Sequence, residues 1–216
     1  MKRYYVGVFG IFLVLFLAMF SYPVRADLPL QGKVVAIDSG HGGLDPGSLY
    51  NDIYEKDITL SIGKYLEKYL SEMGATVIMT RTSDSDLSNG ARNHRKKADF
   101  DERIKIINQN IVDMYVSIHL NYLTDTRYYG AQVFYNKDNE NLAKSIQEYL
   151  NKNTDTNREI KKIPISTYMY DKLTTKGVLV ECGFLSNAME RSKLVTKEYQ
   201  SEFAKVLAEA ISHYYS

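Results

Sequence analysis

The sequence predicts an α/β fold, a three-layer sandwich whose central, mostly parallel and twisted sheet carries helices on both faces. Five short apolar runs of strand length recur along the chain, and segments with apolar residues at helical spacing follow most of them. Strands that alternate with helices favour a mainly parallel sheet. The 216 residues, 44% of them hydrophobic, suit one ordinary domain with a sizeable core.

The first 26 residues differ from the rest of the chain. Lys2 and Arg3 precede an apolar stretch over residues 6–20, and Val24-Arg25-Ala26 resembles a signal peptidase site. A helix over that stretch would measure about 22 Å, which is less than the ~30 Å hydrocarbon core of a bilayer. We therefore expect residues 1–26 to be a signal peptide or an N-terminal membrane anchor, and residues 27–216 to be the functional domain of an exported protein.

Charge and cysteine content exclude some classes. The formal net charge of +1 is unlike the strongly basic balance of nucleic-acid-binding proteins, so no nucleic-acid partner is expected. Cys182 is the only cysteine, which rules out an intrachain disulfide. Its side chain should point away from that of its neighbour Glu181 and into the core.

The elements follow in order along the chain. The opening unit is a strand that stops at glycines, a loop, and a helix that ends near Gly74. Polar segments over residues 81–97 and 151–162 are predicted to be loops. The predicted strands are Lys33–Asp38, Ala75–Thr80, Met114–Leu120, Ala131–Tyr135 and Gly177–Glu181; the predicted helices are Asp57–Met73, Asp99–Gln109, one around Leu142–Leu150 and one around Phe203–Ile211.

Residues whose side chains could bind a metal or take part in catalysis lie at the ends of three predicted strands. Asp38 and His41 follow the first strand, His119 lies near the end of the third, and Glu181 ends the fifth. Ligands of open α/β sheets bind at the carboxyl ends of the strands. The sequence therefore predicts one crevice that these side chains share.

The glycine loop around His41 has two functional interpretations. "SGHGGLDPG" lacks both the dinucleotide fingerprint and the G-K-[ST] of a phosphate loop, which argues against a nucleotide site. His41, Glu55 and His119 supply two imidazoles and a carboxylate, a ligand set that zinc prefers. Two of them have a simpler alternative: Glu55 as a partner of the helix dipole, and His119 as a hydrogen-bonded core residue. Asp38 either caps the turn or accepts a hydrogen bond that orients His41 from behind.

Glu181, Asn121 and Arg158 are the remaining candidates. A carboxylate that ends an apolar strand is costly to bury unpaired, so Glu181 should face a solvated pocket, a metal-bound water or a cation; a salt bridge or a turn cap is the alternative. Asn121 either holds substrate or makes a structural hydrogen bond. Arg158 either reaches a substrate carboxylate or is solvated.

Four motifs in order, "IDSGHGG", "EKDITL", "SIHLN" and "VLVECGFLSN", resemble those of the zinc-dependent N-acetylmuramoyl-L-alanine amidases of bacterial cell walls. The resemblance runs from about Lys33 to Tyr214. It implies that His41, Glu55 and His119 hold one zinc ion per chain and that Glu181 is the catalytic acid and base. The implied reaction is hydrolysis of the amide bond between the lactyl group of N-acetylmuramic acid and L-alanine of peptidoglycan.

Finer features, including "LPLQGKVVAID", "VIMTRTSDSDL" and "GAQVFY", resemble the germination-specific amidases of spore formers. That resemblance implies a role in the spore cortex, outside the cytoplasm, upstream of a deacetylase that completes muramic-δ-lactam, with an accessory lipoprotein as a partner. A vegetative autolysin of the same family, another zinc peptidoglycan hydrolase and a wall-binding protein with a decayed site are the alternatives. No expected ligand is missing, which argues against decay.

Overall fold

The computed structural model describes residues 28–91, 93–109, 111–164 and 167–216. The predicted export segment, residues 1–26, lies outside the described residues. None of the helices in these ranges is long and apolar enough to cross a bilayer. The strands are β1 Val34–Ser39, β2 Leu49–Tyr50, β3 Ile53–Tyr54, β4 Thr76–Met79, β5 Met114–Asn121, β6 Gln132–Tyr135, β7 Lys161–Lys162 and β8 Gly177–Phe184; the helices are α1 Glu55–Glu72, α2 Arg95–Gln109, α3 Glu140–Asn153, α4 Tyr168–Lys172, α5 Ala188–Leu194 and α6 Lys197–Tyr215.

The central sheet has six strands in the order β4-β1-β5-β8-β6-β7. The four strands β4, β1, β5 and β8 run parallel to one another, β6 is antiparallel to β8, and β7 is parallel to β6. A separate two-stranded hairpin, β2 and β3, lies in the loop after β1. The prediction of a mostly parallel α/β sheet is confirmed.

Helices cover both faces of this sheet. On one face α1, α3 and α6 bury the larger apolar core, to which β5 contributes Val116 and Ile118. On the other face α2 and α4 form a smaller core with Tyr115 of the same strand. Because side chains alternate along a strand, Ser117 and His119 share the face of Tyr115. The candidate site therefore opens on the α2 and α4 side of the sheet.

The sequence of α1 explains both its formation and its placement. Ile58, Ile62, Leu66 and Leu70 recur at i, i+4, i+8 and i+12 and are buried against the sheet. Gly63 is required by close packing, because a Cβ there would overlap the side chain of Ser39 at the end of β1. The helix is thereby held against β1, with its first turn beside the strand end.

Some element predictions need correction. The segment 151–162 is not all loop, since α3 continues to Asn153 and Lys161–Lys162 forms the edge strand β7. Exposed lysines on an edge strand give no apolar signal. α2 begins at Arg95 rather than near Asp99, so part of the predicted basic loop is helical. The short elements β2, β3, α4 and α5 were not predicted.

Candidate metal centre

The loop after β1 presents His41 through an unusual backbone. The φ angle of His41 is +63°, and Gly42 and Gly43 follow at +132° and +55°. A left-handed conformation costs a residue with a side chain roughly 1–2 kcal/mol, so the surroundings must hold it in place. Gly42 and Asp45 exchange two backbone hydrogen bonds of 3.0 Å. This tight turn brings the Asp45 carboxylate to 3.1 Å from Nδ1 of His41.

Glu55, the first residue of α1, is buried and lies between the two imidazoles. Its Oε1 is 3.1 Å from Nε2 of His41 and 3.1 Å from Nδ1 of His119. The backbone N–H of Leu120 donates to the same oxygen at 2.9 Å, and that of Ser48 donates to Oε2 at 2.7 Å. The carboxylate is therefore fixed at both oxygens.

His119 comes from β5 and completes the group. Its ring meets that of His41 edge to face, with centroids 5.0 Å apart and planes at 82°. Gly40 makes room for it, because a Cβ at that position would overlap the His119 ring. The structure thus brings together the three side chains that the sequence singled out.

This group fits a metal ion. One ligand atom from each of His41, Glu55 and His119 lies within 4.8 Å of the others. Two imidazole nitrogens and one carboxylate oxygen match the donor set of hydrolytic zinc sites, which leave a fourth position open. The group can therefore hold a metal ion with room for a water or a substrate oxygen.

Glu181 lies beside the group on the neighbouring strand. It pairs with His119 in the register of β5 and β8. Its Oε2 is buried and has no hydrogen-bond partner among the described residues. Burial raises the pKa of Glu181 to about 7; the charge of Glu55 adds to that effect and the two imidazoles oppose it. A carboxylate with a pKa near neutrality can both accept and return a proton.

The side chains of this group perturb the pKa values of one another strongly. Burial alone would lower the pKa of His41, but the carboxylates of Asp45 and Glu55 outweigh it and raise the value to about 9. Burial would raise the pKa of Glu55, yet His119 and His41 hold it far below its ordinary value. His41 is therefore a positively charged imidazolium at neutral pH, and a metal ion would have to displace one of its two ring protons in order to bind.

Asp38 sits behind the loop in a buried polar network. Its carboxylate accepts hydrogen bonds from Arg103 at 2.8 Å, Thr80 at 2.8 Å and Ser117 at 2.7 Å. Arg103 in turn donates to the backbone carbonyl of His41 at 2.6 Å. The connection from Asp38 to His41 thus runs through a guanidinium to the backbone rather than to the imidazole.

Arg158 lies in the segment between α3 and β7 and contacts β6, the strand next to the one that carries Glu181. Its Nη2 donates to Oε1 of Gln132 at 3.1 Å, and Gln132 pairs with Glu181 in the register of β6 and β8. The guanidinium carbon lies 5.1 Å from the ring centre of Phe184 and 5.5 Å from that of Tyr128. Its Nε is buried and has no partner among the described residues. Arg158 is thus held near the site with a donor to spare.

A cavity of about 220 Å³ adjoins the His–Glu–His group. The cavity is lined by His41 and His119 together with residues of α2 and α4, among them Lys96, Phe100, Met169 and Tyr170.

Two other residues named in the sequence analysis lie outside this lining. Asn121, at the end of β5, is half-buried, and its backbone carbonyl accepts a hydrogen bond from the backbone N–H of Leu185 at 2.8 Å. Cys182 is fully buried in the larger core, as predicted.

Three residues around the site escaped the sequence analysis: Asp45, Arg81 and Arg103. Asp45 stands four residues after His41 in the glycine loop, a spacing that could have suggested contact. Arg103 shares the buried stripe of α2 with Asp99 and Ile107 at intervals of four. A charged pair on an otherwise apolar helix face was the available signal.

An α/β sheet with a His–Glu–His group at its carboxyl edge and a free carboxylate beside it is typical of metal-dependent hydrolases. Comparison with known proteins defines the class further. Residues 35–213 match the family model described as N-acetylmuramoyl-L-alanine amidase, and the chain belongs to this family. It is therefore a hydrolase of cell-wall peptidoglycan.

Individual relatives agree with this assignment. The chain is 40% identical to the germination-specific N-acetylmuramoyl-L-alanine amidase of Bacillus subtilis over 196 residues, 88% of this chain and 82% of that protein. It resembles the CwlD amidase of Clostridioides difficile, solved in complex with the GerS lipoprotein, with a TM-score of 0.79, 38% identity and coverage of 84% and 98%. It also resembles the catalytic domain of the N-acetylmuramoyl-L-alanine amidase CwlV from Bacillus (Paenibacillus) polymyxa, with a TM-score of 0.74 and 28% identity. That match covers 84% of this chain and 97% of the CwlV chain.

Proposed function

We propose that the protein hydrolyses the amide bond between the lactyl group of N-acetylmuramic acid and L-alanine of peptidoglycan, with one zinc ion held by His41, Glu55 and His119. The observation that carries the proposal is the juxtaposition of this group with Glu181. The group supplies the donor set of a hydrolytic metal site, and the unpartnered Oε2 of Glu181 supplies a proton acceptor beside it.

Bound at this site, zinc supplies Lewis-acid catalysis and activates water at neutral pH. Glu181 accepts a proton from the attacking water as the water oxygen bonds to the lactyl carbonyl carbon. The same carboxyl group then delivers this proton to the nitrogen of L-alanine as the C–N bond breaks. The products are a lactyl carboxylic acid and a free amine, and Glu181 returns to its starting state.

Other residues would position the substrate. The guanidinium of Arg158, which is hydrogen-bonded to Gln132 on the strand next to Glu181, is our candidate for binding a carboxylate of the stem peptide. Asn121 follows His119 by two residues, on the same strand face, where an amide side chain suits a substrate carbonyl. Asp38 supports the His41 loop through Arg103.

The physiological setting follows from the relatives. We infer that the enzyme acts on cortex peptidoglycan outside the cytoplasm, before a deacetylase that completes muramic-δ-lactam, and that residues 1–26 direct or anchor it there. Similarity to a germination-specific amidase supports the cortex role. The CwlD structure with the GerS lipoprotein supports an accessory lipoprotein partner for this chain.

Mass spectrometry of muropeptides tests the reaction. Purified protein is incubated with cortex peptidoglycan in the presence of zinc or of a chelator. We expect new free L-alanine amino groups with the N-acetyl groups intact, and their loss with the chelator. Glu181→Gln should bind zinc but form no product, whereas Glu148→Gln, at an exposed position on α3, should act like the wild type.

Two outcomes would contradict the proposal. Loss of N-acetyl groups, or cleavage within the stem peptide, would identify a different zinc hydrolase. Full activity of Glu181→Gln would show that Glu181 is not the catalytic acid and base. Equal activity on vegetative and cortex peptidoglycan would contradict only the cortex role and favour an autolysin.

A further inference from the structure

The loop that carries His41 turns three consecutive backbone carbonyls toward two buried arginines. These are the carbonyls of Ser39, Gly40 and His41, at the point where β1 ends and the chain enters its left-handed turn. A buried carbonyl without a donor is costly, and a turn of this shape has no strand ladder to supply one. Arg81 and Arg103 supply the donors.

Arg103 reaches the loop from α2 and is fully buried. Its Nη1 donates to the carbonyl of Ser39 at 2.8 Å, and its Nη2 donates to that of His41 at 2.6 Å. The remaining N–H groups bind the carboxylates of Asp38 and Asp99, with Nη1 to Asp38 at 2.8 Å and Nε to Asp99 at 2.9 Å. Both anions balance its charge and fix the plane of its guanidinium.

Arg81 reaches the loop from the second residue after β4, and it is also buried. Its Nε donates to the carbonyl of Ser39 at 2.9 Å, and its Nη2 donates to that of Gly40 at 2.9 Å. The same Nη2 donates to the carbonyl of Lys56 at 2.8 Å. Because Lys56 follows Glu55 in the first turn of α1, Arg81 ties the His41 loop to the helix that carries Glu55.

All three carbonyls of the His41 loop accept hydrogen bonds from the two guanidinium groups, and the carbonyl of Ser39 accepts one from each. Thr59 adds a hydroxyl that donates to Gly40 at 2.8 Å. Planar forks with fixed donors suit this task, whereas the single ammonium of lysine cannot serve several carbonyls at once.

We propose that Arg81 and Arg103 are positioning residues that set the backbone of His41 and its placement relative to Glu55, and thereby the affinity of the site for zinc. The proposal rests on the proposed zinc site. It assigns to the pair an effect on metal binding separate from any effect on folding. Groups that support metal ligands from behind typically change metal affinity by 10- to 100-fold.

The test compares Arg103→Lys and Arg81→Lys with a matched control, Ile107→Ala. Ile107 is fully buried one turn after Arg103 in α2 and has no polar side-chain atom. Three quantities are measured: urea unfolding of the metal-free proteins, the zinc dissociation constant by competition with a chelating dye, and the visible spectrum of the cobalt form. We expect both lysine variants to bind zinc at least about tenfold more weakly, with an altered cobalt spectrum. Ile107→Ala should lose stability but keep both the spectrum and, within twofold, the constant.

If a lysine variant does not fold, Thr59→Val provides a milder variant that preserves side-chain volume. It removes the hydroxyl that donates to the carbonyls of Gly40 and Lys56 and accepts from Nη2 of Arg81, and it should weaken zinc binding severalfold. Unchanged zinc affinity and cobalt spectra in every folded variant would overturn the proposal. The proposal would also be overturned if Ile107→Ala weakened zinc binding as much as the lysine variants do. A wild type that hydrolyses peptidoglycan without binding zinc would overturn this inference together with the zinc site, but not the amidase reaction.

Discussion

Gly47 offers a sharp test of how the site is packed. Its φ is +68°, and a Cβ at this position would lie 2.7 Å from both Oε2 of Glu55 and Cδ2 of His41. Gly32 has a similar φ of +77°, yet nothing lies within 4 Å of its added Cβ. Alanine at either position carries the same backbone cost, but only alanine at Gly47 collides with two proposed metal ligands.

The expected magnitudes follow from this difference. The left-handed backbone costs each alanine variant roughly 1–2 kcal/mol. Overpacking at Gly47 adds about 1–3 kcal/mol. Gly32→Ala should therefore lose about 1–2 kcal/mol of unfolding free energy and Gly47→Ala about 2–5 kcal/mol. At about 2–4 °C per kcal/mol, the melting temperatures should differ by several degrees or more.

Urea unfolding of both metal-free variants measures this difference, and a zinc titration of each measures the effect on the site. Gly47→Ala should also bind zinc at least about tenfold more weakly, because Glu55 and His41 must move apart to admit the methyl group. Gly32→Ala should bind zinc as the wild type does. Equal stability and equal zinc affinity in the two variants would refute the packing described for the site.

Three further predictions concern the surroundings of the site. Burial alone would raise the pKa of Asp38, but Arg103 holds it below its ordinary value. Asp38→Asn should therefore cost about 3–5 kcal/mol at pH 7, a deficit that stays constant above about pH 5 and shrinks as the pH falls below about 4. Urea unfolding from pH 3 to pH 7 checks this, and a deficit independent of pH would contradict it. Ser39→Ala removes a buried hydroxyl that has no partner among the described residues, so stability in urea should be unchanged or higher by up to about 1 kcal/mol; a clear loss would show that this hydroxyl is satisfied. Arg158→Gln should raise KM for peptidoglycan about tenfold with kcat unchanged, since it removes a charge that we propose binds substrate without touching a reacting atom; steady-state kinetics with an unchanged KM would argue against that role.

The convergence of the metal-ligand group could be predicted from the sequence for a topological reason. His41 follows β1 and His119 lies near the end of β5, two apolar strands that were recognisable by composition alone. Parallel strands place their carboxyl ends at one edge, and Glu55 opens the helix that returns from that edge. The order of strands and helices therefore predicts that these three residues lie close together.

The support behind the group could not be predicted in the same way. Arg81 and Arg103 look like solvated charges in a polar segment and a surface helix, because burial of a guanidinium depends on carbonyls and carboxylates far away in the sequence. The contact between Asp45 and His41 depends on a left-handed turn that composition permits but does not specify. The edge strand Lys161–Lys162 is set by pairing with β6, which the lysines themselves do not signal.

We propose that His41, Glu55 and His119 hold the catalytic zinc. A crystal of the zinc-loaded protein, measured on both sides of the zinc absorption edge, locates the ion through the anomalous difference map. We predict one strong peak per chain, in contact with all three side chains and next to Glu181. A peak at other residues, or no peak in protein that hydrolyses peptidoglycan, would show that these three residues do not hold a catalytic zinc.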